Sequence, residues 1–120
     1  MKGLMFLLLA VKETAKELHY TFIKDFALHN LYDEVAEGID ELRDDLAEIG
    51  IIGSGDKVPS AKEELNGCLK ALEEVEVSRS GLRKLCADTL DYMKDVEADQ
   101  GGKTVLDNTA AKLNKCIALL

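Results

Sequence analysis

The sequence predicts an all-α protein, a four-helix bundle with a short extra helix between the second and third. Three observations lead there. Apolar residues recur at three- and four-residue steps along most of the chain. Leu, Ala, Glu, Lys and Asp are abundant, while there is no Trp, only three Phe and three Tyr, and one Pro; that composition favours helix over strand. No segment shows a convincing period-two alternation of the kind a half-buried strand needs. A length of 120 residues suits a single domain over 1–120, and 47% apolar with 32% charged residues is a globular composition.

The first helix is expected over about 4–23, with Leu4, Leu7, Leu8, Val11, Leu18 and Phe22 on its apolar side. Its opening, Lys2 and then the apolar run Gly3–Val11, looks superficially like a signal peptide. Lys12-Glu13 starts a charged helical pattern at once and no small-residue cleavage site follows, so it reads as the first turns of a buried helix. The run is also too short to span a membrane.

The second helix is expected over about 26–49, on a stripe of Leu28, Leu31, Tyr32, Val35, Ile39, Leu42, Leu46 and Ile49. Gly50 and Gly53 end it, and Gly53–Asp56 reads as loop. A shorter helix follows from Pro59-Ser60 to about Val77, with Leu65, Cys68, Leu69 and Leu72 as its apolar face. Ser60 with Glu63 three residues on has the form of a capping box. Ser78–Gly81 reads as a break. The third long helix then runs over about 81–99, with Leu82, Leu85, Cys86, Thr89, Leu90, Met93 and Val96 inward. After a turn at Asp99–Gly102, the last helix carries Val105, Leu106, Ala110, Leu113, Ile117 and Leu120 inward.

A net charge of −8 and the lack of any Lys/Arg cluster argue against direct DNA binding, which needs a basic surface to displace counterions from phosphate. An acidic surface attracts cations instead. Cys68, Cys86 and Cys116 are an odd count without metal-ligand spacing, so they read as small buried hydrophobes and not as a disulfide framework. These features fit a cytoplasmic protein with no membrane association.

Both histidines, His19 and His29, lie close to or on the second helix. On a helical projection His29, Asp33, Glu37, Asp40, Asp44 and Glu48 share an arc of about 100° beside the apolar stripe. Such a charge run is commonly a solvated face. A histidine heading it makes the alternative concrete, because imidazole and carboxylate without thiolate suit iron, manganese or zinc. His29 and Asp33 are one turn apart, as are Asp44 and Glu48. Asp33 and Asp44 are separated by roughly 16 Å along a straight helix. One chain cannot bring both pairs to one ion. Two antiparallel copies of this helix can, about a two-fold axis near residues 38–39, so a metal site here predicts a dimer with two equivalent inter-subunit sites. The Glu-x-x-His device of intrachain di-iron bundles is missing, since Lys16 and Phe26 stand three residues before the histidines.

His29-x-x-x-Asp33, ten intervening residues, and Asp44-x-x-x-Glu48, preceded by His19 at the end of the first helix, resembles the ferroxidase signature of the Dps family, the mini-ferritins of the ferritin-like superfamily. Phe26–Asp33 is similar to that family's second-helix start, Asp44–Gly50 to its Asp-x-x-Ala-Glu segment, and Glu97–Asp107 to its turn into the last helix. Tyr20 stands where the family usually has Trp, and the spacing from His19 to His29 is slightly short. The resemblance implies a ferritin-like bundle and a ferroxidase in a dodecameric cage that stores ferric iron, with peroxide or oxygen as oxidant. It implies His19, His29 and Asp33 as iron ligands from one subunit, with Asp44 and Glu48 from its two-fold partner. The competing reading is a non-catalytic ferritin-like assembly or interaction protein without metal; a third is a monomeric helical adaptor with a solvated acidic face. Tyr20, Tyr32 and Tyr92 are expected in the core, their hydroxyls hydrogen-bonded. Glu37 and Asp40 are candidates for outer-shell or iron-entry groups. Gly38 points away from the metal face and has no assigned role.

Overall fold

A computed structural model describes residues 1–120, and every regular element in it is helical. The chain forms α1 (Lys2–Thr21), α2 (Phe26–Asp45), a π-helical turn (Leu46–Ile51) running into a 3-10 turn (Ile52–Ser54), α3 (Ala61–Leu72), α4 (Arg79–Met93) and α5 (Gln100–Leu119). No helix is long and apolar enough to cross a membrane.

Side-chain caps fix the starts of four helices. Asp25 accepts from Leu28 N–H at 3.2 Å, Ser78 from Gly81 N–H at 3.0 Å, and Asp99 from Gly102 N–H at 2.8 Å. Ser60 and Glu63 form the expected capping box at the start of α3. Each cap satisfies a backbone donor that the first helical turn leaves without a partner.

The four long helices occupy the corners of a square. α1 packs on α2 and α4, and α5 packs on α4 and α2, while the α1/α5 and α2/α4 pairs make no close approach and so lie on the diagonals. Neighbours run antiparallel. Gly3 of α1 sits under the Tyr92 ring near the end of α4, and Gly101 at the start of α5 lies against Ile49, just beyond the end of α2. α2 and α4 therefore point the same way, and the chain between them must travel back along the bundle. α3 makes that crossing on the outside of α1, with Gly67 against Phe6 and Leu72 bordering a hollow with Thr14 and Lys16.

The core is a single cluster. Leu4, Leu8, Val11, Ala15 and Leu18 from α1 meet Tyr32, Val35 and Ile39 from α2, Leu82 and Cys86 from α4, and Val105, Leu113 and Cys116 from α5. Thr89 and Thr109, fully buried, donate their hydroxyls to Leu85 and Val105 carbonyls one turn back, at 2.7 and 2.8 Å. The three cysteines are free and buried, as their helical context predicts.

Several expectations need correction. α3 and α4 end earlier than the periodicity suggests, at Leu72 and Met93. Helix α4 starts at Arg79 on the Ser78 cap, so Gly81 lies in its first turn and not in a break. Ile49 is exposed although it continues the apolar stripe of α2, because the π turn from Leu46 shifts the register and buries Gly50 and Ile51 in its place. On α3 only Cys68 is buried; Leu65 and Leu69 are 58% and 64% exposed, since α3 touches the bundle along one narrow edge. Tyr32 is in the core, but Tyr20 at 63% and Tyr92 at 41% exposure are not. Gly38 lies under the end of the Lys112 side chain, a flexible group that a Cβ there would only have to displace.

Candidate metal half-site

Four residues, Phe22–Asp25, join α1 to α2, so the end of one helix and the start of the next are held side by side. His19 closes α1 and His29 lies in the first turns of α2. Their rings stack with centroids 3.6 Å apart and planes inclined by 20°. The His19 Nδ1–H donates to the His29 carbonyl, and the His29 Nδ1–H donates to the His19 carbonyl, both at 2.8 Å. A carbonyl only accepts, so each ring carries a proton on Nδ1. In the neutral rings both Nε2 atoms then hold free lone pairs, the tautomer that a metal-binding imidazole needs.

Asp33, one turn beyond His29, brings Oδ1 to 3.9 Å from His19 Nε2. The same oxygen lies 3.8 Å from Lys16 Nζ. His19 is only 13% exposed, while Asp33 and Lys16 are about one-third open to solvent. Tyr20 tilts against His19 at 5.2 Å. The first three predicted ligands thus gather at one end of α2, but no three of the chain's His, Cys, Asp or Glu side chains are grouped closely enough to hold an ion by themselves.

Asp44 and Glu48 are not part of this group. Both are exposed, Asp44 in the last turn of α2 and Glu48 in the π turn. Continuous α-helix through Asp45 keeps Asp33 and Asp44 roughly 16 Å apart in projection along the axis. Between the two groups, Asp40 pairs within its own chain with Lys12 at 3.1 Å and Arg43 at 3.2 Å. Burial alone would raise its pKa, but the hydrogen bonds and charges of Lys12 and Arg43 outweigh this and hold the carboxyl below its usual value. Arg43 also meets Glu64 of α3, so one chain of ion pairs ties α1, α2 and α3 together. Glu37 is exposed and has no ion-pair partner.

The chain matches no protein-family model, no curated protein and no solved structure.

Lys16, Lys12, Arg43 and Glu64 are not among the site residues that the sequence predicts. A signal was there for two of them. Lys12, Lys16 and His19 follow one another at steps of four and three, which puts them on one side of α1 facing α2. The largest groove, about 600 Å³ between α4 and α5 and lined in part by Leu90, Met93, Leu106, Lys94 and Lys103, includes none of the predicted ligands.

Proposed function

We propose that this chain is a Dps-like mini-ferritin with a ferritin-like bundle. It binds Fe²⁺ at a site shared between two subunits, oxidises it with peroxide or oxygen, and keeps the ferric product inside a closed assembly. His19, His29 and Asp33 from one subunit and Asp44 and Glu48 from its two-fold partner make up each site. Iron is the substrate and cargo. Imidazole nitrogen suits Fe²⁺, and carboxylate oxygens are the hard donors that Fe³⁺ prefers.

The observation that carries this reading is the reciprocal pair of histidine hydrogen bonds. Two imidazoles that share one tautomer beside a carboxylate leave their Nε2 lone pairs free for a metal ion. The exposure of Asp44 in the last turn of α2 and of Glu48 in the π turn that follows it supports sharing across an antiparallel two-fold axis. The single long crossover between two parallel diagonal helices supports the ferritin-like topology.

The test is complementation. His29→Ala and Asp44→Ala single variants should each lose anaerobic Fe²⁺ binding and fast peroxide-driven oxidation, read as ferric absorbance. When the two are co-expressed, a mixed dimer contains one site with both defects and one site with neither. About a quarter of all sites should then work, from the statistics of random two-fold pairing. Wild-type protein that oxidises iron no faster than buffer would reject the ferroxidase. Active wild type with no recovery in the mixture would reject the sharing.

A further inference from the structure

We infer that the π turn at Leu46–Ile51 positions a ligand: its extra residue turns Glu48 into line with Asp44, so that the two carboxylates stack along one edge of α2. This rests on the shared-site reading above. The register of buried residues carries the inference. Counted around the axis from Asp44 at 100° per residue, Leu46 lies at about 200°, on the core side. Uninterrupted α-helix would bring Ile51 to within about 20° of Asp44, among the exposed acids. Ile51 is instead 1% exposed and Leu46 fully buried, while Asp44 and Glu48 are open to solvent. The five steps from Leu46 to Ile51 therefore hold one residue more than α-helix needs. The backbone agrees, since the Ile52 N–H reaches back to the Ala47 carbonyl, five residues earlier, as well as to that of Glu48.

An extra residue is a lag of about 100°, or about 20° at each of the five steps. Glu48, two steps beyond Leu46, falls back by about 40°. In plain α-helix it would stand about 40° past Asp44, so the lag sets it on the same line. Ile49 falls back likewise, from the flank of the apolar stripe towards the acids, and is 47% exposed. At the helix surface, roughly 5–6 Å from the axis, 40° is a sideways step of about 4 Å. A ligand constellation tolerates only about 0.5 Å. The core itself has no need of the insertion. With one residue fewer, continuous α-helix would still hold Ile51 within about 40° of Leu46. π turns are rare and concentrate at functional sites; the charged group that this one re-aims is Glu48.

The experiment removes the extra residue. Deleting Ala47 keeps Gly50 and Ile51 on the core side and moves Glu48 about 60° to one side of Asp44; deleting Gly50 keeps Ile51 there and moves Glu48 about 40° to the other side. Wild type, both deletions and Glu48→Ala are titrated with Co²⁺ by anaerobic calorimetry on the assembled protein. Visible absorption of the bound ion, particle mass and guanidinium unfolding in EDTA are recorded alongside. Each deletion should unfold at no lower a midpoint than wild type, bind Co²⁺ at least about 10-fold more weakly, and give the absorption spectrum of Glu48→Ala. Wild-type affinity in a deletion that folds and assembles, affinity lost only together with stability, or loss of fold in both deletions overturns the inference and leaves the shared site standing. No Co²⁺ binding in wild type removes the shared site itself, and the inference with it.

Discussion

The two histidine hydrogen bonds look symmetrical but are not equivalent, and that difference can be measured without any metal. The His19 carbonyl belongs to the last turn of α1, where no backbone N–H follows to meet it. Its only hydrogen bond comes from His29 Nδ1. The His29 carbonyl lies near the start of α2, in register to accept from the backbone one turn on, so the bond from His19 is a second one. Removing the His29 donor thus orphans a partly buried acceptor, at a cost of about 1–3 kcal/mol, while removing the His19 donor loses an ordinary net hydrogen bond worth about 0.5–1.5 kcal/mol. His→Phe at either position keeps an aromatic ring for stacking and takes away the donor. His29→Phe should be the more damaging by about 1 kcal/mol, or roughly 3–6 °C in melting temperature for a domain of this size. Guanidinium unfolding in EDTA at fixed protein concentration, with thermal melts alongside, gives both numbers. Equal losses within 0.3 kcal/mol, or a larger loss for His19→Phe, would refute the argument that chain position sets the value of each bond.

The packing also fixes how the thiols and two of the glycines respond to perturbation. Cys86 is fully buried, and that burial, with some contribution from nearby Cys116, pushes its thiol pKa up to about 12; Cys68 and Cys116 are also raised, chiefly by burial. The native protein should consume almost no thiol reagent at pH 8 and three equivalents per chain once denatured. Because the thiols stay neutral when folded but ionise when unfolded, stability should fall as pH rises above about 8.5, the free thiol value. Gly81→Ala should be strongly destabilising, since the added Cβ meets the Glu76 backbone carbonyl at the start of α4. Gly38→Ala should be tolerated, because there the obstacle is the flexible end of Lys112 and the helix gains about 0.5–1 kcal/mol from losing a mid-helix glycine. Denaturant midpoints of the two variants check the contrast.

Local chemistry was readable in the sequence. The Ser60/Glu63 box depends on residues three apart, and the inward faces of α4 and α5 on a 3.6-residue period, so a linear pattern contains what is needed. The same holds for the candidate ligands: their types and spacing are linear facts, and so is the rule that a straight helix keeps Asp33 away from Asp44. Other features depend on what packs against a segment. The π turn at Leu46–Ile51 packs on α5, with Gly50 against Met1, and this decides that Ile51 and not Ile49 is buried. Leu65 and Leu69 have the period of a core face, yet α3 meets the bundle on one edge only and leaves them in solvent. Lys16 is marked in the sequence only by its spacing from Lys12 and His19, because a lysine on an amphipathic helix is ordinarily solvated and only the approach of α2 places Asp33 beside it. The mutual histidine hydrogen bonds likewise require the α1–α2 corner to be closed. Spacing along the chain determined which groups can share a helix face, and tertiary packing decided which of them meet, because contact energies act over ångströms between segments whose separation in sequence carries no distance.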